Sequence, residues 1–101
     1  MDRRLIFCAV LAPLLLGTVN CAELVGGGIA CRSRADLHDM WAYMSNGDAG
    51  SFMKLCREQR CRYPLCEGES ATILGRYSSD ETVRFGQNAE IWWTYDEMIR
   101  D

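Results

Sequence analysis

The hydrophobic positions of this chain change their period once, near residue 63. Upstream, apolar side chains recur three and four residues apart, as on one face of a helix, at Leu37, Met40, Trp41 and Met44. Ser33 is suited to cap the start of this helix, and Asn46-Gly47 to end it. Asp48 is suited to cap a second, shorter helix whose inner face would carry Phe52, Leu55 and Cys56. The pattern therefore predicts a helical hairpin over residues 31–60.

Downstream of residue 63, apolar and polar residues alternate, which is typical of strands joined by tight turns. The predicted strands are 70–77, 82–85 and 89–93, and one helical turn is predicted over 96–99. Three sets of side chains are expected to share a strand face: Ala71, Ile73 and Tyr77; Val83 and Phe85; Ala89, Ile91 and Trp93. The fold class predicted is α+β, with the helical hairpin packed on a small antiparallel sheet or barrel over residues 61–101.

The first residues have the layout of a secretory signal peptide. A basic start, Asp2-Arg3-Arg4, precedes the apolar run 5–16 and a small or polar stretch that ends at Ala22. The run of about a dozen apolar residues is shorter than the roughly 20 that span a bilayer. We predict a signal peptide over 1–22, a flexible glycine-rich leader over 23–30 and no stable membrane insertion after cleavage. The predicted location is the periplasm or the exterior, and whether Cys21 is retained stays open.

Charge narrows the classes of partner. The chain has 11 Lys and Arg, 14 Asp and Glu, and a net charge of −3. Loss of the predicted signal removes two arginines and one aspartate, so the mature chain would be one charge more negative. An acidic chain without a block of basic residues argues against nucleic acid as the main partner.

The cysteines predict covalent cross-links. Four remain downstream of the predicted signal, at Cys31, Cys56, Cys61 and Cys66, and an even count in a small exported domain indicates two disulfides. Three pairings are compatible with the spacing, and we favour Cys31 with Cys61 and Cys56 with Cys66. A zinc site would need CxxC pairs or several histidines, whereas the chain offers only His38. We therefore predict no metal and no cofactor.

Several segments carry a resemblance. The turn Glu67-Gly68 opening "ATILGRY", the hairpin "SSDETVRF" and the closing strand "EIWWTY" resemble bacterial SH3-like domains. The preceding "IACRSRADLHDMWAYMSNGDAGSF", ending in "RCRYPLCEG", is similar to small exported bacterial proteins in which a cysteine-led helical hairpin leads into such a barrel. The resemblance covers about residues 29 to 99, although this chain is short and shows no clear separate strand before Tyr63. It implies a non-catalytic module that binds a peptide, a partner protein or cell-wall material.

The pair Trp92-Trp93 supplies the candidate binding residues. Neighbours on a strand point to opposite faces, so if Trp93 packs inward, Trp92 points outward. Trp92, Tyr95 and Tyr77 would then form an aromatic shelf for a peptide, a protein or a cell-envelope polymer. The alternative is that Trp92 covers a second core against the helical hairpin. The sequence leaves the oligomeric state open.

Two other functions are weighed against this binding module. The first is a secreted inhibitor or effector that blocks an enzyme with the cysteine-stapled loop from Arg57 to Leu65. The second is a small hydrolase, which needs an activated nucleophile that the sequence does not display. His38 is its best candidate base, and we interpret His38 as a surface residue. The expectation is therefore that the protein is not an enzyme.

Overall fold

A computed structural model describes residues 21–101, which form two helices and one seven-stranded antiparallel sheet. The elements are β1 (Cys21–Leu24), β2 (Ala30–Cys31), α1 (Arg34–Ser45), α2 (Ala49–Arg57), β3 (Cys61–Arg62), β4 (Ser70–Tyr77), β5 (Thr82–Gln87), β6 (Glu90–Tyr95), a 3-10 turn (Asp96–Met98) and β7 (Ile99–Arg100). Their order across the sheet is β3-β2-β6-β5-β4-β1-β7. The predicted α+β fold class is confirmed. No helix in residues 21–101 is long and apolar enough to cross a membrane.

Both helices begin at the predicted caps, because a side-chain oxygen there satisfies a free backbone N–H. Ser33 Oγ accepts the Asp36 N–H at 3.1 Å, and Asp48 Oδ1 accepts the Ser51 N–H at 3.1 Å. The first helix ends at Asn46, and Gly47 follows with a φ of +70°, a conformation that favours glycine. Local signals alone therefore define the hairpin.

The apolar stripe of α1 is buried only in part. Leu37 and Met40 are fully buried, whereas Trp41 and Met44 are exposed. The Trp41 ring centroid lies 5.6 Å from that of Tyr95 on the sheet. The apolar face of α1 thus packs mainly against the sheet and less against α2.

The segment predicted as a flexible leader is part of the sheet, so that prediction is wrong. β1 pairs with both β4 and β7, and Leu24, Ile29 and Ala30 are fully buried. Ala22 and Leu24 alternate with Glu23, a strand pattern that the following glycines obscured, and Gly27 turns the chain with a φ of +87°. Residues 1–20 of the predicted signal lie outside the described residues. Cleavage after Ala22 would fall within β1.

Buried residues form two clusters on opposite sides of the sheet. The first core lies on its inner side and contains Ala22, Leu24, Ala30, Leu65, Ala71, Ile73, Val83, Phe85 and Trp92. The second core lies between the helices and the sheet and contains Ile29, Cys31, Leu37, Met40, Leu55 and Cys61. Trp93 and Tyr95 pack against the second core from β6. Both sides of β6 are therefore used, one in each core.

An irregularity in β4 changes which residues share a face. Ile73 pairs with Phe85 and Gly75 pairs with Arg84, so Leu74 is an extra residue between them, a β-bulge. The predicted grouping of Ala71 with Ile73 is confirmed, since both are buried in the first core. Beyond the bulge Tyr77 lies on the opposite face, beside Trp93, with ring centroids 5.4 Å apart. Its predicted place with Ile73 is wrong.

Of the two favoured disulfides, one is confirmed and one is wrong. Cys31 and Cys61 are directly opposite on β2 and β3 and are joined by a disulfide. Cys56 and Cys66 are free thiols. Cys56 packs against the second core from α2, whereas Cys66 follows Leu65 of the first core and is exposed. Because the two thiols are anchored to different sides of the sheet, they do not clasp the loop between them.

Candidate binding surface

On β6 the two tryptophans point to the sheet faces opposite to those predicted. Trp92 is only 4% exposed and belongs to the first core, whereas Ile91 is 50% exposed. The cause is the register, which pairs Trp92 with Phe85 and so directs both side chains to the inner side. The predicted outward placement of Trp92, on which its role as a ligand-binding residue depended, is therefore wrong. The alternative prediction placed Trp92 in a core against the helical hairpin. Trp92 does fill a core, but it is the first core, on the inner side of the sheet.

The surroundings of Trp92 are those of a structural residue. The guanidinium carbons of Arg32 and Arg62 lie 4.4 and 5.1 Å from its ring centroid, a cation–π arrangement. Arg62 also donates to Glu69 at 2.7 Å and to Gln87 at 2.6 Å. Trp92 is thus enclosed by arginines that are themselves held in place.

The side of strands β4 to β6 that points away from the first core is here called the outer face. Its members are Leu74, Tyr77, Arg84, Ile91, Trp93 and Tyr95. The predicted residues Tyr77 and Tyr95 lie on this face, and Trp93 takes the place between them that was predicted for Trp92. The α1 helix covers one end of it, where Trp41 contacts Tyr95. Leu74 and Ile91 stay open to solvent at the other end.

Two glycines let the side chains of the outer face lie flat on the sheet. A Cβ atom at Gly75 would sit 3.0 Å from the Tyr77 hydroxyl oxygen, and one at Gly86 would sit 3.7 Å from Leu74 Cδ1. Tyr77 and Leu74 therefore each lie across a position that has no side chain. The side chains of Tyr77 and Leu74 therefore lie along the sheet and do not project from it.

Arg34 of α1 holds the aromatic end of the outer face. Its guanidinium carbon lies 4.6 Å from the ring centroid of Tyr77 and 4.7 Å from that of Trp93. Arg34 Nε is 3.1 Å from Asp80 Oδ2, an ion pair without the alignment of a hydrogen bond. One cation from the helix thus covers one side of both rings.

Asp80, in the turn between β4 and β5, links this end of the sheet to α1. Its carboxylate accepts the Thr82 hydroxyl at 2.7 Å and lies 3.1 Å from His38 Nε2. The Thr82 hydrogen bonds, together with His38 and Arg34, lower the pKa of Asp80 against the opposing effect of burial. The Asp80 charge is therefore shared among several donors.

His38 also contacts Tyr95, which completes a chain of polar groups. Tyr95 Oη lies 3.3 Å from His38 Nδ1, and His38 is exposed, as predicted. Burial and the charge of Asp80 raise the pKa of Tyr95, so its phenol stays protonated at neutral pH. The chain of Asp80, His38 and Tyr95 orients side chains and leaves the phenol a poor nucleophile.

Arg84 lies at the centre of the outer face, between Gly75 on β4 and Trp93 on β6. Three arginines in residues 21–101 are half-buried. Arg34 pairs with Asp80 and Arg62 with Glu69, whereas Arg84 has no hydrogen bond or ion pair within the described part of the chain, and its Nε is buried without a partner. Arg84 was not among the predicted site residues. Its signal was a charge at the centre of the strand "TVRFG", on the face opposite Val83 and Phe85.

The arginines of the loop from Arg57 to Leu65 are largely neutralised. Arg60 donates to Asp36 at 2.6 Å and to Glu58 at 3.1 Å, and Arg62 pairs with Glu69. Burial raises the pKa of the Cys56 thiol, which makes it less reactive. Within residues 21–101 no three His, Cys, Asp or Glu side chains are grouped where they could hold a metal ion.

Comparison of the chain with protein-family models, with curated proteins and with solved structures gives no match. The SH3-like resemblance therefore stays a prediction. Function has to be inferred from the outer face itself.

Proposed function

We propose that this protein is an exported, non-catalytic binding module that takes a peptide or a segment of a partner protein on its outer face. The observation that carries the proposal is the cluster of large, exposed side chains on one side of the central strands: Leu74, Tyr77 and Ile91. Grouped apolar side chains at a surface are typical of interaction sites. The strands beneath them are packed on the first core, so the surface is rigid before binding.

The aromatic end favours a peptide over a glycan. A sugar ring binds by stacking on an open aromatic face, but Arg34 already covers one side of both Tyr77 and Trp93. The open end, by contrast, offers the aliphatic side chains of Leu74 and Ile91, which suit apolar residues of a peptide. We therefore prefer a peptide or protein to a cell-envelope polymer as the ligand.

Two features support export and the absence of catalysis. The disulfide between Cys31 and Cys61 is typical of proteins that reside in an oxidising compartment, such as the periplasm or the exterior. The raised pKa of Tyr95 keeps the hydroxyl that contacts His38 protonated, which supports a role in structure rather than in catalysis.

The inhibitor alternative has weaker support. It relied on a loop clasped by Cys56 and Cys66, and both are free thiols. The arginines that could have carried the contact, Arg60 and Arg62, are engaged with Asp36 and Glu69. We rank this function second for these reasons.

A pair of matched variants tests the proposal. Ile91 on the outer face is 50% exposed and Met53 on α2 is 51% exposed, so glutamate at either site adds the same charge at the same exposure. Ile91→Glu should weaken capture of proteins from an envelope extract by about tenfold or more, because it places a charge in an apolar contact. Met53→Glu should capture as the wild type does.

Two further readouts define the ligand and the site. Protease treatment of the extract should abolish capture if the ligand is a protein, and hydrogen exchange should slow in β4 to β6 when the ligand binds. Equal capture by Ile91→Glu and the wild type would contradict the proposed surface. Capture that survives the protease would indicate a polymer instead.

A further inference from the structure

We infer that Arg84 is a carboxylate-binding residue, which anchors an acidic side chain of a peptide whose flanking residues are apolar. The inference rests on the proposed binding function of the outer face and adds the chemical class of the ligand. It starts from the one half-buried arginine in residues 21–101 that has neither a hydrogen bond nor an ion pair within the protein.

An unpaired arginine at this position is costly for the free protein. Buried donors are nearly always satisfied, and hydrogen bonds to charged groups are the stronger ones. The Nε of Arg84 is buried without a partner, while the side chain as a whole is only half-buried and so reaches solvent. The two terminal nitrogens of the guanidinium also have no partner in residues 21–101, and a carboxylate can accept two parallel hydrogen bonds from them, a geometry that lysine cannot offer.

The neighbours of Arg84 leave room for such a group. On β4 its partner is Gly75, which has no side chain of its own and over which the Tyr77 ring lies. On β6 its partner is Trp93, whose ring is held by Arg34. Arg84 is therefore bordered by an aromatic ring on each side, and part of its side chain stays exposed.

Apolar side chains border the same place. Ile91 pairs with Gly86, two residues beyond Arg84 on β5, and Leu74 lies across Gly86. Tyr77 lies on the other side, across Gly75. An acidic residue bound at Arg84 would thus have apolar surface on both sides, which suits an extended peptide with apolar residues next to its carboxylate.

The charge around Arg84 differs from that of the chain as a whole. The net charge of the chain is −3, yet no residue of the outer face is acidic. Asp80 at its edge is matched by Arg34, and Glu90 at the start of β6 is matched by Arg32. Arg84 is left as the unbalanced charge of the surface, and it complements an anionic ligand.

The test uses a library of random seven-residue peptides displayed on phage and selected against the purified, oxidised protein. Selected peptides should be enriched in Asp or Glu next to apolar residues. The strongest binder is then synthesised with its acidic residue intact and with the matching amide. Both peptides are titrated against the wild type, Arg84→Gln, Arg84→Lys, Arg57→Gln and Ile91→Glu.

Arg84→Gln should raise the dissociation constant of the acidic peptide roughly ten- to a hundredfold, the effect of losing a hydrogen-bonded charge. The amide peptide should lose as much against the wild type, and combining the two changes should cost little more. Arg84→Lys should bind with intermediate affinity because it keeps the charge without the planar fork. Arg57→Gln removes an exposed charge from α2 and should bind as the wild type does.

The other outcomes separate the two proposals. Peptides that bind without an acidic residue, or that lose affinity in Ile91→Glu but not in Arg84→Gln, would overturn the carboxylate site and leave the proposed function standing. Failure to select any peptide, or binding unchanged by Ile91→Glu, would overturn both. Denaturant unfolding of each variant confirms that it is folded, and the change on the peptide side needs no variant of the protein.

Discussion

The two faces of strands β4 to β6 differ in how far their large side chains are buried. On the inner face Ile73, Val83, Phe85 and Trp92 are buried, and packing accounts for each of them. On the outer face Leu74 is 45% exposed and Ile91 50%, and no element in residues 21–101 covers them. Packing of the first core therefore explains the residues of the inner face. It does not explain Leu74 and Ile91 at the open end of the outer face, and binding is the better explanation for these two.

The contrast also separates two arginine environments. Arg32 and Arg62 beside the buried Trp92 are each paired with a glutamate. Arg84 on the outer face has no such partner within residues 21–101. This difference between two half-buried arginines, Arg62 and Arg84, is why we propose an external carboxylate as the partner of Arg84.

The largest effect is expected on the inner face, where Trp92→Ala should lower the free energy of unfolding by about 3 to 5 kcal/mol. The substitution removes a buried ring from the first core and leaves a cavity. Denaturant unfolding measures the loss, and Trp92→Phe, which keeps a buried ring, should cost less. A loss below about 1 kcal/mol would show that Trp92 does not fill the core.

A smaller effect is expected at the edge of the outer face, where Asp80 binds α1 through His38 and Arg34. Its pKa in the folded protein is lowered, so its stabilising effect is complete above the ordinary aspartate pKa of about 4 and is lost as the pH falls through the folded pKa. Asp80→Asn should therefore be less stable than the wild type at pH 6, and the difference should shrink towards pH 2. Unfolding curves at several pH values measure this, and a gap that is independent of pH would rule out the charge as its source.

The smallest effect is expected at the open end of the outer face. Ile91→Thr keeps a β-branched residue in the strand and should change the free energy of unfolding by less than about 0.5 kcal/mol. The same substitution should weaken binding of any ligand selected on the outer face. A loss of stability comparable to that of Trp92→Ala would mean that the two faces do not differ as described.

Much of the helical part could be predicted because its signals are local. Ser33 and Asp48 each satisfy a backbone N–H three residues on, and Gly47 supplies the turn between the helices. The bounds of β4, and the placement of Val83 and Phe85 on the same face of β5, also follow from short stretches of sequence. The favoured disulfide between Cys31 and Cys61 is present, and it joins β2 to β3, the strands on either side of the helical hairpin.

The errors concern features that depend on contacts between distant segments. The face of Trp92 is set by its pairing with Phe85, and the face of Tyr77 by the bulge at Leu74. Neither the register nor the bulge can be read from one strand alone. β1 was missed because its buried residues are followed at once by glycines, and Arg84 because its lack of a partner is visible only in three dimensions.

The position of β1 has a consequence for how the molecule forms. Because β1 lies between β4 and β7, Glu23 pairs with Arg100, and segments from opposite ends of the described chain meet in one sheet. Such a closure depends on contacts far apart in sequence, and contacts of this kind slow folding. The helical hairpin is held by local contacts, whereas β1 gains its second neighbour only when β7 is in place. Until then Leu24 lacks its neighbour Ile99, and the edge of β1 away from β4 is open to pairing with another strand.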